Sequence, residues 1–284
     1  MRYTRIHAAR EVRREEAIKE ANLATARKFS TADLVGLALA ALLIAIYSLR
    51  NGHALAGDSR RLLLALGITA AFALLAWRAR GVNWSGALAG SAIAFVLAAR
   101  DPRMFWVLLL VFLLTFAATR AGRSRKQQLH TEETSGGRSA SQVMANLGVA
   151  GLIVAIAPQG WELLALAALA EAAADTSSSE IGMAFPGKTV LLTSWKPVSP
   201  GVDGGVSVKG TLAAIGAAGI ISAAATLMHL AGGGHTLAVL YAGVLGSLVD
   251  SLIGALLERR GFLTNDIVNL LSTAAAVGIA RTLV

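Results

Sequence analysis

Cysteine is absent from the sequence, and only 5 histidines are present. The missing thiols exclude disulfides, thiolate metal sites and cysteine nucleophiles, and widely separated histidines disfavour a zinc site. Aromatic residues make up 6% of the chain, too few for a surface that stacks single-stranded bases, so we expect no nucleic-acid partner. Charged residues make up only 15%, which disfavours both disorder and an ordinary soluble domain.

Apolar residues are what the sequence has in excess. Hydrophobic residues make up 55% of the 284 positions and 29 more are glycine, whereas the two together reach about 45–50% in a soluble domain. The 26 Lys and Arg outnumber the 17 Asp and Glu, for a net charge of +9. In a membrane protein this excess sets orientation and contacts anionic lipid or phosphate, so we expect membrane lipids among the partners.

Apolar runs recur along the chain, and a helix that crosses a bilayer needs about 17–25 such residues. The runs are residues 34–49, 62–77, 84–99, 105–118, 143–157, 161–174, 212–230, 235–257 and 267–284. They predict an all-α fold, a polytopic transmembrane helical bundle of about 8–9 spans over residues 31–284. Gly86 and Gly90 form a GxxxG pattern, which is typical of close helix packing in lipid.

The charged residues predict an orientation. Residues 1–30 contain too many acids for a signal peptide, and we interpret them as a cytoplasmic or membrane-surface helix. With the N-terminus in the cytoplasm, most Lys and Arg fall in loops on that side, as the positive-inside rule requires. Two long loops, residues 119–142 and 175–210, are then predicted to be cytoplasmic.

Two basic clusters lie at predicted cytoplasmic helix ends. The first, around Arg120, is either a signal that orients the chain in the membrane or a phosphate-binding cluster. Phosphate binding is possible because one guanidinium group can bind two phosphate oxygens at once. In the second, two glycines and Arg138 precede an apolar helix, which is the geometry of an anion site, although a flexible loop is the alternative. The residues predicted to bind substrate or nucleotide phosphates are Arg120, Lys126, Gly137, Arg138, Gln142 and Asn146.

An acidic, hydroxyl-rich segment follows at residues 174–182. Asp175 and Glu180 lie five positions apart, about 140° around a regular helix, so they can face one ion only if the chain breaks or turns between them. Ser178 and Ser179 add hydroxyls suited to phosphate. The alternative is a helix start, because Ser177 and Glu180 fit a capping box.

Three later segments add further candidates. Asp203 lies in a glycine-rich loop, which either lets the backbone approach a ligand or forms an ordinary turn. Asp250 falls inside a long apolar run, where an acid indicates a site unless it only bonds a neighbouring helix. Asp266 precedes the last helix, as a phosphate-site residue or a cap. The candidates from these segments are Asp203, Gly204, Gly205, Asp250, Asp266 and Asn269.

These side chains are predicted to meet at the cytoplasmic membrane face. Carboxylates and hydroxyls are the hard oxygen ligands that Mg²⁺ prefers when it holds substrate phosphates. We predict Asp175, Glu180 and Asp250 as the Mg²⁺ ligands, and these three with Asp203 as the catalytic set. Such a set suits phosphoryl transfer from a nucleoside triphosphate to a lipid-borne phosphate.

Several stretches resemble an integral-membrane family that contains the plant phytyl-phosphate kinases of tocopherol synthesis. They are residues 84–90, 118–122, 136–138, 142–146, 174–176, 178–182, 200–205, 246–251 and 265–269. The resemblance extends over residues 60–284. It implies a polytopic kinase that converts an isoprenyl (phytyl or geranylgeranyl) phosphate into the diphosphate. It also implies a distant likeness to dolichol kinases and CDP-diacylglycerol synthases, and hence CTP as the nucleotide.

Two other functions fit the same residues. One is cytidylyl transfer, which would make a CDP-lipid and release pyrophosphate. The other is ion-coupled transport, in which the intramembrane acids would be ion sites, although inverted repeats are not evident in the sequence. A homodimer is also among the expected partners.

Overall fold

The computed structural model describes residues 30–129, 136–185 and 187–284. The predicted helix over residues 1–30 therefore lies outside the described residues, apart from Ser30. The described elements are α1 (Thr31–Gly57), α2 (Ser59–Arg78), α3 (Trp84–Arg100), α4 (Pro102–Arg120), α5 (Arg123–Gln128), α6 (Ala140–Ile156), α7 (Trp161–Ala184), β1 (Thr189–Leu191), β2 (Pro197–Val198), β3 (Gly205–Ser207), α8 (Val208–Leu227), α9 (Gly234–Ile253), a π-helical turn (Gly254–Glu258) and α10 (Asn265–Thr282).

Every apolar run predicted from the sequence overlaps one of these helices. Five helical segments are long and apolar enough to cross a membrane: Thr31–His53, Ser59–Arg78, Pro102–Arg120, Val208–Leu227 and Gly234–Glu258. Two shorter apolar helices, α3 and α6, pack among them. The all-α membrane class is confirmed, whereas the count of about 8–9 spans and the cytoplasmic N-terminus stay predictions.

Helix α7 forms the centre of the bundle, packing against α4, α6, α8, α9 and α10. Its Leu166 and Leu169 are completely buried, as are most of the alanines around them. Small side chains let helices approach closely, which stabilises bundles in lipid, where packing rather than water exclusion drives association. At Gly243 of α9, an added Cβ would lie 3.0 Å from the Cβ atoms of both Ala170 and Ala218, so three helices meet there at close range.

Large apolar side chains cover much of the outside of the bundle. Leu49 of α1 and Leu227 of α8 are 87% and 81% exposed, and α2 presents Leu63 and Leu64 outward. Exposed apolar surface of this extent is unusual for a soluble monomer and is what a lipid-facing surface requires. This exposure agrees with an integral membrane protein.

The carboxylate of Asp33 links the N-terminal ends of α1, α3 and α6 through hydrogen bonds. Asp33 Oδ1 accepts hydrogen bonds from Ser85 Oγ at 2.8 Å and from the backbone N–H of Ala140 at 3.1 Å. The segment before α6 also pairs with the segment before α3, since Asn83 N–H donates to the carbonyl of Arg138 at 2.9 Å. These bonds fix the backbone of Arg138 at one end of the bundle.

The predicted loop over residues 175–210 is shorter than expected. Helix α7 continues without a break through Asp175 to Ala184, so the segment that follows it begins at Phe185. The capping box at Ser177 is not used, because this part of α7 is buried against neighbouring helices. The rest of the predicted loop contains a small antiparallel sheet in the order β2-β1-β3, which the all-α expectation did not include.

The other predicted loop, residues 119–142, is described only in part. It contains the short helix α5, which follows Gly122. Gly122 has a φ of +58°, and an added Cβ there would lie 2.6 Å from the Cβ of Ala184, so glycine is needed where α5 crosses the end of α7.

Candidate functional site

A polar cavity of about 360 Å³ lies at one end of the bundle. It is enclosed by the start of α6, the last turns of α7, the segment around β3, the end of α9 and the start of α10. Most of the predicted site residues line it: Arg138, Gln142, Asn146, Asp175, Ser178, Ser179, Glu180, Asp203, Gly204, Gly205, Asp250 and Asn269. Residues more than 100 positions apart in the chain thus meet in one cavity.

Asp175 of α7 and Asp250 of α9 are the central acids of this cavity. The carboxyl groups are within interaction range of each other, and Ser272 Oγ donates to Asp250 Oδ2 at 3.1 Å. Asp175 also interacts with Glu171, Glu258 and Arg138. Neighbouring carboxylates repel each other in a confined space, and a bound cation relieves that repulsion. The arrangement is therefore suited to binding a cation.

The carboxylates of this cavity could hold Mg²⁺ in only one of the ways that proteins bind it. Among the residues that the structure describes, no three Asp, Glu, His or Cys side chains are grouped closely enough to hold a metal ion by themselves. Mg²⁺ commonly binds proteins through one or two carboxylates and completes its shell with water and substrate phosphates. Asp175 and Asp250 could supply those two carboxylates, whereas the described residues do not supply enough ligands to enclose a metal ion without substrate or water.

Glu180 and Lys126, predicted as a metal ligand and a phosphate ligand, instead bind each other. Lys126 Nζ lies 2.6 Å from Glu180 Oε2, and the side chains are 2% and 7% exposed. Lys126 also donates to the carbonyls of Ala118 and Thr119 at the end of α4. Because α7 is unbroken, Asp175 and Glu180 project about 140° apart. The predicted sharing of one ion by these two acids is therefore not supported by the geometry, although Glu180 does border the cavity.

Three other predicted residues lie outside the polar cavity. Arg120 donates through Nη2 to the carbonyl of Ala79 at 2.6 Å, and its guanidinium lies 4.1 Å from the centre of the Phe116 ring. Arg120 and Gly137 line a second, neighbouring cavity instead. Asp266 lies in the first turn of α10, where a negative charge is favourable, and it lines neither cavity.

Arg138, Gln142 and Asn146 line both cavities. Gln142 Oε1 accepts the backbone N–H of Ser139 at 2.9 Å, which completes a capping box at the start of α6. Arg138 Nη2 lies 3.5 Å from Thr176 Oγ1 on α7. The start of α6 therefore forms the partition between the two cavities, and the Arg138 side chain reaches from it toward α7.

The glycine-rich segment closes the polar cavity against the π-helical turn. Gly204 has a φ of +74°, and an added Cβ would collide with Ala255 in that turn. The tight contact places Asp203 near Glu258, with which it interacts electrostatically. Wide π-helical turns often occur at functional sites. The close contact observed for this loop is with the protein itself, and its predicted approach to a ligand stays a prediction.

Sequence reasoning did not assign two acids that the structure places at or near this site. Glu258 lines the cavity through the π-helical turn, which no local pattern predicts. Glu171 is 1% exposed and lies one helical turn before Asp175. Its Oε2 accepts from Thr273 Oγ1 at 2.9 Å, and its buried Oε1 has no hydrogen-bond partner among the described residues. The four-residue spacing to Asp175 was the available signal.

The fold and the cavity together define an integral membrane protein with an acidic site at one end of its helical bundle. The chain belongs to the family described as Integral membrane protein DUF92, which matches residues 67–277. This result confirms the family resemblance inferred from the sequence. No solved structure matches the chain.

Similar proteins come from archaea, cyanobacteria and plants. The chain is 33% identical over 220 residues to the uncharacterized membrane protein MJ0933 of Methanocaldococcus jannaschii, covering 75% of this chain and 90% of that protein. It is 33% identical to the uncharacterized membrane protein sll0875 of Synechocystis, over 65% of this chain and 77% of that one. Identity to the chloroplastic protein VTE6 of Arabidopsis thaliana is 28%, over 74% of this chain and 62% of that protein.

Proposed function

We propose that this protein is an isoprenyl-phosphate kinase, which transfers the terminal phosphoryl group of a nucleoside triphosphate to a lipid monophosphate such as phytyl or geranylgeranyl phosphate. The resemblance of the sequence to an integral-membrane family that contains plant phytyl-phosphate kinases supports this reaction, and the chain belongs to such an integral-membrane family. The observation that carries the proposal is the contact between a polar cavity containing Asp175 and Asp250 and a mainly apolar one, with Arg138 in the wall of both. A phosphate attached to a hydrocarbon chain needs both environments.

The reaction requires positioning and charge neutralisation more than proton transfer. An oxygen of the acceptor monophosphate attacks the terminal phosphorus, the bond to the bridging oxygen breaks, and a nucleoside diphosphate leaves. The acceptor is already an anion, so no strong general base is required. Transfer of this kind depends on holding the two phosphates in line and on stabilising their charge.

Each group of residues has a proposed part in that reaction. Asp175 and Asp250 would hold Mg²⁺, which when bound supplies charge neutralisation to the nucleotide phosphates. Arg138 would bind the acceptor phosphate through its paired N–H groups. Ser178 and Ser179, which border the cavity, would donate to nucleotide phosphate oxygens. CTP is the proposed nucleotide, and a site on the cytoplasmic face would give access to it.

The deciding experiment follows the products. Purified protein in detergent is incubated with geranylgeranyl or phytyl phosphate, Mg²⁺ and each labelled nucleoside triphosphate in turn. We expect isoprenyl diphosphate and a nucleoside diphosphate, and we expect Asp175→Asn to lower the rate about 10²–10³-fold, the usual cost of losing a group that stabilises transition-state charge. Asp58→Asn is the matched control, since Asp58 is exposed, caps α2 and lies outside both cavities.

The other outcomes discriminate between the rival functions. Formation of a CDP-lipid with release of pyrophosphate would identify cytidylyl transfer instead. Folded protein that produces neither product with any isoprenyl phosphate and any nucleotide would refute the kinase. Ion-coupled transport would then be tested by ion flux in vesicles.

A further inference from the structure

A second cavity of about 190 Å³ lies beside the polar one, between α2, α3, α4 and α6. Its apolar walls include Phe72, Leu108, Phe112 and Phe116. Phe112 packs edge-on against Phe72 and is stacked with Phe116, at ring-centre distances of 5.2 and 5.4 Å. These aromatic side chains form an apolar part of the cavity wall.

We propose that this cavity binds the hydrocarbon chain of a single-chain lipid monophosphate, with its phosphate held by Arg138 at the partition between the two cavities. The proposal rests on the proposed function and adds a substrate class to it. Phosphate esters that carry one linear or isoprenoid chain would be accepted, and diacyl phospholipids would be excluded.

The positive charges around the cavity favour a lipid with an anionic head group. Arg80, Arg120, Arg123 and Arg138 all line it, and among the residues that the structure describes none of its lining side chains is acidic. The neighbouring polar cavity has the opposite character, with Asp175 and Asp250 in its wall. An anion with an apolar tail is therefore stabilised on the arginine side and repelled on the acidic side unless a cation is present there.

The backbone at Arg80 supports a functional interpretation of this surface. Arg80 has a φ of +58°, which is rare for a residue with a side chain, and its N–H donates to the carbonyl of Trp77 at 2.9 Å. Residues held in such conformations concentrate at ligand sites. The strained turn between α2 and α3 keeps the Arg80 side chain beside the cavity.

The volume indicates one chain rather than two. Ligand pockets for drug-sized molecules usually measure about 300–1,000 Å³, and this cavity is smaller than that range. The helices around the cavity are also closely packed. Gly86 lies so near the carbonyl of Arg138 that an added Cβ would collide with it. At about 190 Å³ the cavity would enclose part of one hydrocarbon chain, and a second chain would have to displace its walls.

Two substitutions fill the cavity without disturbing the phosphate site. A Cβ at Gly90 meets only Val143 Cγ1, at an ordinary 3.9 Å, so Gly90→Leu adds volume at a tolerant position. Ala73→Leu fills the cavity from α2 and keeps the test valid if the first variant fails to fold. Gly67→Leu is the control, because Gly67 has open space around it and lines neither cavity.

The probe is decyl monophosphate with a photoreactive diazirine at the end of its chain, applied without nucleotide or Mg²⁺. We expect cross-links to the segment of α4 that contains Phe112 and Phe116, with competition by unlabelled decyl monophosphate and not by inorganic phosphate. Gly90→Leu and Ala73→Leu should each lower the labelling about tenfold, equivalent to 1.4 kcal/mol of binding. Gly67→Leu should leave it unchanged.

Three results would overturn the proposal. Labelling confined to outward leucines of α2 such as Leu64 would place the chain in lipid, and unchanged labelling in both folded filling variants would place it elsewhere in the protein. Equal competition by dioleoyl phosphatidic acid would remove the single-chain restriction. Specific labelling without turnover would refute the kinase activity and leave the cavity assignment in place. Turnover without labelling would refute the cavity assignment and leave the kinase activity in place.

Discussion

The two cavities share three side chains and differ in almost everything else. The polar cavity gathers acids from α7, α9 and the π-helical turn, whereas the second cavity has phenylalanines and arginines in its walls. Arg138 belongs to both. In the function we propose, the acidic side would hold a cation with its nucleotide and the basic, apolar side would hold an anionic lipid.

A comparison of Asp175 with Glu180 is equally instructive, because both lie on α7. Glu180 is neutralised by Lys126, which makes it part of the scaffold. Asp175 has three acids and one arginine as electrostatic neighbours, so its surroundings favour a bound cation. Residues of the same charge on one helix therefore have different roles, which the neighbouring helices determine.

The largest expected effect comes from breaking the buried pair. Lys126→Met should lower the free energy of unfolding by about 3–5 kcal/mol, because it leaves the Glu180 carboxylate buried without its cation. Chemical unfolding in detergent, followed by tryptophan fluorescence, measures the change. Lys188→Met, at an exposed position, is the control.

The double variant Lys126→Met with Glu180→Met sharpens this test. It should recover most of the lost stability, since replacing both members of a buried pair by apolar side chains is often close to neutral. If Lys126→Met alone unfolds like the unmodified protein, the buried pair does not stabilise the fold.

Asp250→Asn should separate activity from stability. We expect phosphoryl transfer to fall about 10²–10³-fold, while the free energy of unfolding stays the same or rises because one of several repelling carboxylates is removed. Initial rates and chemical unfolding are measured on the same preparation. A loss of activity that only follows a loss of folded protein would mean that Asp250 is structural.

Arg138→Lys is expected to have the smallest effect. It tests directly whether the lipid phosphate and the nucleotide bind in separate cavities. Lysine keeps the charge but cannot bind two phosphate oxygens in the fork geometry of arginine. The KM for the lipid phosphate should rise about tenfold, the equivalent of 1.4 kcal/mol, with a smaller change in the KM for the nucleotide. Steady-state kinetics with each substrate varied gives both values, and Arg281→Lys, at an exposed position, is the control. A change confined to the nucleotide KM would assign Arg138 to the acidic cavity alone.

Local patterns in the sequence anticipated the helices and many of the residues that line the polar cavity. The apolar runs overlap the helices because the length of an apolar segment and its lack of charge are local properties. Asp175 and Asp250 could be identified because an acid within or beside an apolar segment is unusual, and Asp203 because it lies in a glycine-rich loop. Their meeting in one cavity was expected from the convergence of helix ends on a single face and agrees with the structure.

Other features could not be predicted in this way. The pairing of Lys126 with Glu180 spans 54 positions, and the attachment of Arg120 to the turn after α2 spans 41. The continuation of α7 past Ser177 contradicts the local capping signal, because burial against neighbouring helices outweighs it. The π-helical turn that carries Glu258 packs closely against Gly204, which lies far away in the chain.

The sequence by itself determined that this chain is a helical membrane protein of a particular family, because composition, the length of apolar segments and short sequence motifs are all local properties of the chain. Only the tertiary structure decided which charges are neutralised within the scaffold and which face a cavity. The physical reason is that the energy of a charge in a low-dielectric interior depends on its nearest partners, and helix packing brings those partners together from distant parts of the chain.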